Sequence, residues 1–266
     1  NGTLGRDSQS DVVLAHRLLG AMGLLNSDVP VEALEKAVEE LTRNRAAMEP
    51  VRANKEIYEL LRDGFTVPVE DADGRTESMR VRFIDWETVE NNDWLAVSQF
   101  WVKGDMYKRR TDVSLFVNGI PLSLMEFKAP HINVKQAFDG NITDYRNAIP
   151  RLFWFNGFVL VSNGDDTRVG STYASWDFFA EWKKISSEDE QGVVSLETAL
   201  RATCSPKRFL DLLSHFIVYT ELPGGMVKAL AKNHQYLGVN NAIEAIKHAR
   251  ERDGRLGVFW HTQGSG

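Results

Sequence analysis

The chain has 266 residues, a formal net charge of −6, and apolar and charged fractions of 43% and 26%. These values are typical of a folded globular protein and argue against long disorder or a coiled coil. A single cysteine, Cys204, excludes an intramolecular disulfide framework and a multi-cysteine zinc site. The first residues show no signal-peptide pattern, and the apolar stretch at 157–162 is far too short to cross a bilayer.

The first 65 or so residues predict helices. Ser8 and Asp11 form a capping-box pattern before a first helix that begins near Val12. An apolar stripe at helical spacing over 31–41 predicts a second helix. Asn54 is a candidate N-cap for a third helix.

The apolar period then changes to two, which predicts strands. The predicted strands cover residues 79–83, 94–102, 111–117 and 122–128. Asn118 and Gly119 between the last two are a strong hairpin signal. A basic run lies before the third strand and fits either a solvated loop or a nucleic-acid contact; it contains Lys103, Lys108, Arg109 and Arg110.

An apolar stripe from Val134 to Ile149 predicts one helix after these strands. The stretch Phe158–Val161 is apolar on both faces, which indicates a buried strand beneath that helix. The order of antiparallel strands, helix and interior strand predicts a mixed α/β fold around a central sheet. The polar, acidic segment 186–192 is the best linker candidate, and helices are predicted again over 209–218 and 227–250.

Three residues beside the predicted hairpin suit metal-dependent hydrolysis of a phosphodiester. Asp112 precedes the hairpin, and Glu126 and Lys128 follow it on one strand face, with Phe127 on the other. Two carboxylates and a phosphate oxygen suit Mg²⁺, a hard ion that prefers oxygen ligands. A lysine can orient the attacking water or stabilise developing negative charge. Alternatively, Glu126 and Lys128 form an exposed ion pair on the sheet.

The register of the hairpin decides whether the two acids meet. A two-residue loop at Asn118–Gly119 would place Asp112 opposite Met125, which turns Asp112 away from Glu126. A three-residue turn over Asn118–Ile120, with a bulge in the turn, places the two acids opposite each other. We therefore predict the longer turn.

The segment from Asp112 to Pro130 closely resembles the nuclease segment of the R (restriction and motor) subunits of type I restriction enzymes. The stretch Lys232–Tyr236 resembles the adenine-binding segment ahead of the helicase motor in those subunits. His261–Gly266 resembles their phosphate loop, up to the residue before its lysine. The similarity is dense from about Arg80 to Val161 and again from about Phe209 onward.

This resemblance implies a fold and a domain order. It implies a restriction-endonuclease-like PD-(D/E)xK domain over 1–185, with a mixed sheet flanked by helices. A linker over 186–205 follows, and 206–266 is expected to be the helical start of a superfamily 2 helicase domain, truncated inside the phosphate loop.

The resemblance also implies residue roles. Asp112 and Glu126 are expected to bind the metal ion, Lys128 to be the catalytic lysine, and the backbone carbonyl of Phe127 to add a metal ligand. The expected ion is Mg²⁺, with Mn²⁺ as a substitute.

A Gln-x-x-x-Tyr motif of the family is matched by Asn141 and Tyr145, where asparagine replaces the longer glutamine. Both fall on one helix face, and a core role for Tyr145 stays open beside a catalytic one. Many such nucleases add an acid from an early helix; Asp11 is the candidate here, with helix capping as its competing role. Glu56 and Glu59 are weaker alternatives.

Gln235 is the expected adenine-binding residue, with an ordinary exposed helix position as the alternative. Gly264, Ser265 and Gly266 match part of the phosphate loop. This sequence lacks the lysine and hydroxyl that such a loop uses for phosphate and Mg²⁺, so we expect ATP binding and hydrolysis only in the full-length subunit.

The function implied is a Mg²⁺-dependent endonuclease that cuts unmethylated double-stranded DNA after ATP-driven translocation by the full-length subunit. Its implied partners are the modification and specificity subunits of the same complex, in a bacterial or archaeal cytoplasm, with no membrane. Three alternatives stay open. The first two are the nuclease of another helicase–nuclease fusion in recombination or repair, and a catalytically silent nuclease fold used as a scaffold. A generic nucleotide-binding fragment is a third.

Overall fold

The structure is a computed structural model that describes residues 4–70 and 74–258. Its α-helices are α1 (Ala15–Leu25), α2 (Val31–Thr42), α3 (Pro50–Asp63), α4 (Thr143–Ala148), α5 (Pro150–Phe153), α6 (Leu196–Thr203), α7 (Pro206–His215) and α8 (Asn233–Lys247). A π-helical segment, Ala137–Ile142, runs directly into α4. Single 3₁₀ turns lie at Val89–Asn91, Trp176–Phe178 and Ala249–Arg252.

The strands form one central sheet and three separate hairpins. They are β1 (Phe65–Glu70), β2 (Thr76–Val81), β3 (Trp94–Ser98), β4 (Trp101–Lys103), β5 (Lys108–Arg110), β6 (Val113–Val117), β7 (Ile120–Phe127), β8 (Phe158–Ser162), β9 (Thr167–Ser171), β10 (Ile217–Leu222) and β11 (Gly225–Leu230). The central sheet has the order β3-β6-β7-β8-β9. Only β7 and β8 pair in parallel within it, so the sheet is mixed. The predicted mixed α/β fold around a central sheet is confirmed.

The hairpin β6–β7 reaches the predicted register by a different route. Its turn is the two-residue loop, since Val117 pairs with Ile120, and both loop residues have positive φ, 51° at Asn118 and 77° at Gly119. The predicted three-residue turn is therefore wrong. A bulge at Leu122 shifts the register instead: Phe116 pairs with Pro121, but Leu115 pairs with Ser123.

Residues 156 and 157, which lie just before β8, hold the bulge by hydrogen bonds. The Leu122 carbonyl accepts a hydrogen bond from the Gly157 N–H at 2.7 Å, and the Pro121 carbonyl accepts one from the Asn156 side chain at 2.6 Å. Beyond the bulge Val113 pairs with Met125. The next pair in that register is Asp112 with Glu126, which is the arrangement that the predicted metal site requires.

The crossover from β7 to β8 packs over the sheet. Its predicted single helix is instead a π-helical segment, α4 and α5, and the backbone leaves the helical region at Ile149, before Pro150. A residue before proline is disfavoured in helical conformation, which explains the break. Every residue of β8 is buried, as the two-faced apolar run predicted.

The N-terminal helices differ from prediction at their starts. Helix α1 begins at Ala15 without a side-chain cap. Ser8 and Asp11 instead close a turn before it, in which the Asp11 carboxylate accepts the Ser8 N–H at 2.9 Å. Helix α3 begins at Pro50, because proline at the first position suits a helix start. Asn54 is buried inside this helix and donates to carbonyl groups of the crossover, not to a cap.

Two predicted elements are divided or shortened, because part of each belongs to a hairpin. The predicted strand over 94–102 divides into β3 and β4, which belong to different sheets, and positive φ (55°) at Gln99 marks the break. The predicted helix over 227–250 begins only at Asn233, since residues 225–230 form β11. The run of β-branched and aromatic residues in β10, followed by Pro223 and Gly224, favours this hairpin. None of the helices in the described ranges is long and apolar enough to span a membrane.

Candidate active site

The backbone of β6 and β7 brings Asp112 and Glu126 into reciprocal contact. The Asp112 N–H donates to Glu126 Oε1 at 3.0 Å, and the Phe127 N–H donates to Asp112 Oδ2 at 2.8 Å. The Glu126 carboxylate is thus held by the backbone of Asp112, and the Asp112 carboxylate by the backbone of the residue after Glu126. The carboxylates therefore meet where β6 begins and β7 ends.

Glu126 is fully buried, with 0% of its surface exposed. Its pKa is raised to about 7, chiefly by burial and also by the charge of Asp112, while hydrogen bonds from the Asp112 N–H and Asn141 act in the opposite direction. No ion pair joins Glu126 to Lys128 among the salt bridges of the described residues. The alternative of an exposed ion pair is therefore wrong.

Asn141 links Lys128 to Glu126. Its Nδ2 donates to Glu126 Oε2 at 2.8 Å, and its Oδ1 accepts from Lys128 Nζ at 2.7 Å. The shorter amide therefore reaches the acid from its position in the π-helical segment. π-Helical turns of this kind occur often at functional sites. Lys128 is half-buried, and its own N–H donates to the Ser162 carbonyl of β8 at 2.8 Å, which fixes the strand end that carries it.

Tyr145 belongs to both the core and the site. It is buried within the hydrophobic cluster, and its hydroxyl donates to the Arg110 carbonyl at 2.8 Å and lies 3.4 Å from Asn141 Nδ2. Burial, followed by the negative charge of Glu126, raises the pKa of Tyr145. The phenol therefore acts as a neutral hydrogen-bonding group that ties α4 to the chain just before Asp112.

The donor set fits a hard cation. Asp112 and Glu126 offer carboxylate oxygens, and a cation between them would offset the burial and charge repulsion that raise the pKa of Glu126. Across the described residues, no group of three or more His, Cys, Asp or Glu side chains is arranged to hold a metal ion. Mg²⁺ commonly takes one or two carboxylates and completes its shell with water and phosphate oxygens, so the pair suits Mg²⁺.

The early acids are engaged elsewhere. The Asp11 carboxylate accepts from the Ser8 N–H and hydroxyl. Glu56 accepts from Arg45 at 2.9 Å, and Glu59 pairs with Lys55. In the part of the chain that the structure describes, none of these three acids has a hydrogen bond to Asp112, Glu126 or Lys128.

The nucleotide-binding predictions concern a separate part of the chain. Gln235 lies in the first turn of α8, where its Oε1 accepts the Lys232 N–H at 2.8 Å. This is a capping contact, and the adenine-binding role of Gln235 stays a prediction. Gly264, Ser265 and Gly266 lie outside the described residues.

The sequence analysis missed one ion pair beside the site. Arg109 of β5 donates through Nη2 to Asp144 of α4 at 2.9 Å. The residue next to Asp144 is Tyr145, so this pair holds the helix of the site against the hairpin β4–β5. The signal was weak, because Arg109 lay within a basic run and Asp144 within a predicted amphipathic helix.

Comparison with known proteins shows the family. Residues 1–178 match the model of the type I restriction enzyme R protein N terminus. The HindI type I restriction enzyme endonuclease subunit of Haemophilus influenzae is 33% identical over 276 aligned residues, which cover 100% of this chain and 26% of that protein. The putative MjaIXP endonuclease subunit of Methanocaldococcus jannaschii is 29% identical, over 98% of this chain and 27% of that protein. The chain thus spans about a quarter of the length of these relatives, and it belongs to the family of type I restriction enzyme R protein N-terminal regions.

Proposed function

We propose that Asp112, Glu126 and Lys128 form the Mg²⁺-dependent endonuclease site of a type I restriction enzyme R subunit, in a PD-(D/E)xK fold. The reciprocal hydrogen bonds between the Asp112 and Glu126 segments carry this proposal. They hold the two carboxylates together where β6 begins and β7 ends, and Lys128 lies two residues beyond Glu126. A buried carboxylate with a raised pKa is costly to keep without a function.

Each residue has a distinct part in this proposal. Asp112 and Glu126 hold Mg²⁺, with the Phe127 carbonyl as a further ligand. When bound, Mg²⁺ neutralises the phosphate and makes a bound water more acidic. Lys128 orients the attacking water or stabilises negative charge on the phosphate. Asn141 holds both the Lys128 ammonium group and the Glu126 carboxylate in place by hydrogen bonds. Tyr145 positions Asn141 and is not itself a metal ligand.

The wider activity belongs to the longer protein. In this proposal the substrate is unmethylated double-stranded DNA, delivered by ATP-driven translocation in the full-length subunit together with modification and specificity subunits. Residues 186–205 connect the nuclease to the start of a helicase domain, where Gln235 and the phosphate loop at Gly264–Gly266 bind ATP. The two relatives named above are endonuclease subunits, which supports this proposal.

Calorimetric titration with Mg²⁺ or Mn²⁺ tests the site without requiring DNA delivery. We expect one binding site in the wild-type chain that Asp112→Ala and Glu126→Ala each abolish. Glu197→Ala, which removes an exposed carboxylate of α6, is the control and should leave binding unchanged. Wild-type binding that neither site variant weakens would contradict the proposal. Metal binding together with an intact plasmid when the full-length subunit is supplied with ATP would favour the silent scaffold.

A further inference from the structure

The hairpin β4–β5 has two faces of different character. Trp101 pairs with Arg110, and Lys103 pairs with Lys108. Because side chains alternate along a strand, these four residues share one face. All four are exposed. The other face carries Val102, which is 1% exposed, and Arg109.

The outer face, defined by Trp101, Lys103, Lys108 and Arg110, concentrates positive charge. None of its three cations forms an ion pair with another residue that the structure describes. Lys108 Nζ lies 4.5 Å and the Arg110 guanidinium carbon 5.5 Å from the Trp101 ring centroid. The indole thus aligns two of the cations by cation–π contact. The chain as a whole has a net charge of −6, so the positive charge of this face is local.

The inner face fastens the hairpin to the helix of the candidate site. Arg109 donates to Asp144 of α4 at 2.9 Å. Gly104 packs so closely on α4 that a β-carbon there would lie 2.0 Å from the Ala148 carbonyl oxygen. The Tyr145 hydroxyl donates to the Arg110 carbonyl. These contacts give the outer face a fixed position relative to the acids.

The outer face also adjoins the acids along the chain. Arg110 stands two residues before Asp112, so their α-carbons are at most about 7 Å apart. A polyanion seated on this face would therefore pass the carboxylate pair. A phosphodiester backbone is such a polyanion, and exposed lysine and arginine side chains are its usual contacts.

We propose that the outer face of the hairpin β4–β5 binds the phosphate backbone of duplex DNA and guides it to Asp112 and Glu126. Lys103, Lys108 and Arg110 each contact phosphate, and Trp101 aligns Lys108 and Arg110. This inference rests on the proposed nuclease function for its substrate. It assigns the DNA contact to residues that take no part in holding the metal ion.

Binding of a short fluorescent duplex to the 266-residue chain, followed by anisotropy in EDTA, tests the inference. The variant is Lys103→Gln/Lys108→Gln/Arg110→Gln. We expect affinity at ~100 mM salt to fall about 10- to 100-fold and the slope of log K against log salt to become shallower by about 2 to 3, since each phosphate contact contributes about 0.9. Wild-type binding that the triple variant leaves unchanged would overturn the inference, as would no measurable wild-type binding at ~50 mM salt.

Two matched variants control for charge and for folding. Lys36→Gln/Arg201→Gln/Lys207→Gln removes the same charge from exposed helix positions and should weaken binding less than about threefold. Lys103→Arg/Lys108→Arg/Arg110→Lys keeps the charge and should restore affinity. Equal binding of polyglutamate and duplex DNA would overturn the inference in favour of an acidic protein partner.

The same variants separate this inference from the proposed function. The triple glutamine variant should bind Mn²⁺ with wild-type affinity in the calorimetric titration. Retained DNA affinity with intact metal binding overturns the hairpin surface and leaves the nuclease site standing. Lost DNA affinity in a chain that binds no metal overturns the nuclease site and leaves the hairpin as a DNA-binding surface.

Discussion

Two hairpins of this chain each bury an ionisable side chain. The hairpin β6–β7 buries Glu126, and β10–β11 buries Lys228, which is 3% exposed. Burial raises the pKa of Glu126 and lowers the pKa of Lys228, as expected when water is withdrawn from either charge. By burial alone the two residues look alike.

Their neighbours differ. Glu126 contacts Asp112 and Asn141, and both are half-buried, so the cluster borders solvent. Lys228 Nζ donates to the Asn156 carbonyl at 2.8 Å and lies 3.2 Å from Thr172 Oγ1, and both partner residues are fully buried. A second acid and access to solvent therefore indicate a ligand site at Glu126. Two neutral partners that are both closed to solvent indicate a structural role for Lys228.

The largest expected effect is on the pH dependence of stability at Glu126. In EDTA, the unfolded chain loses the Glu126 proton near its ordinary pKa of 4.5, while the folded chain keeps it until about pH 7. The wild type therefore loses stability as pH rises between these values, by up to about 3 kcal/mol. Glu126→Gln lacks this loss, so its stability relative to wild type should rise across pH 4.5–7 in urea unfolding.

The absolute stability of Glu126→Gln is a poorer readout than its pH dependence. The Asp112 N–H and Asn141 Nδ2 approach different oxygens of Glu126, and an amide has only one accepting oxygen, so the variant loses one of these hydrogen bonds. Glu197→Gln, at an exposed carboxylate, is the control and should show a flat difference. A flat difference for Glu126→Gln as well would show that its burial carries no electrostatic cost. As a separate expectation, saturating Mg²⁺ should stabilise the wild type but not Glu126→Gln.

The matching prediction for the sealed region is that Lys228→Met stabilises the chain at pH 7. A lysine whose folded pKa is lowered costs stability as pH falls below its unfolded value near 10.4. Methionine removes that cost, and the Thr172 hydroxyl still donates to the Asn156 carbonyl. We expect a gain of about 1 kcal/mol or more, seen as a rise in Tm of about 2–4 °C.

Metal binding separates the two buried residues further. Lys228→Met should bind Mn²⁺ as the wild type does. A Tm that falls on this substitution, with stability independent of pH between 7 and 10, would mean that the amine is held as a favourable charge.

The next largest expected effect is that of Asn141, which bridges Lys128 and Glu126, on metal affinity. Asn141→Ala removes the hydrogen bonds to Glu126 and Lys128 and should weaken Mn²⁺ binding about 10-fold, which is typical of residues that orient metal ligands. Asn147→Ala, at an exposed position on α4 whose side chain donates to the Thr143 carbonyl, is the control. An unchanged affinity for Asn141→Ala would reduce Asn141 to a packing residue.

The sequence predicted the hairpin β6–β7 but not the hairpin β10–β11. Strand periodicity placed Glu126 and Lys128 on one face, and the apolar run at 158–161 predicted the buried strand β8. The bulge at Leu122 was not predictable, because β7 is buried on both faces and its burial does not reveal a one-residue shift in register. The hairpin β10–β11 was missed since its pattern is inverted: Lys228 is buried while Val218, Leu222 and Val227 are exposed.

The smallest expected effect concerns Asp11, where sequence left two roles open. The Asp11 carboxylate accepts hydrogen bonds from the N–H and the hydroxyl of Ser8 in an exposed turn. Loss of these bonds should lower the free energy of unfolding by about 1 kcal/mol or less. Asp11→Asn should therefore lower Tm by a few degrees at most and leave Mn²⁺ affinity within about twofold of wild type. A loss of metal affinity similar to that of Asn141→Ala would instead bring Asp11 into the site, and would require the N-terminal turn to move toward Asp112 when the ion binds.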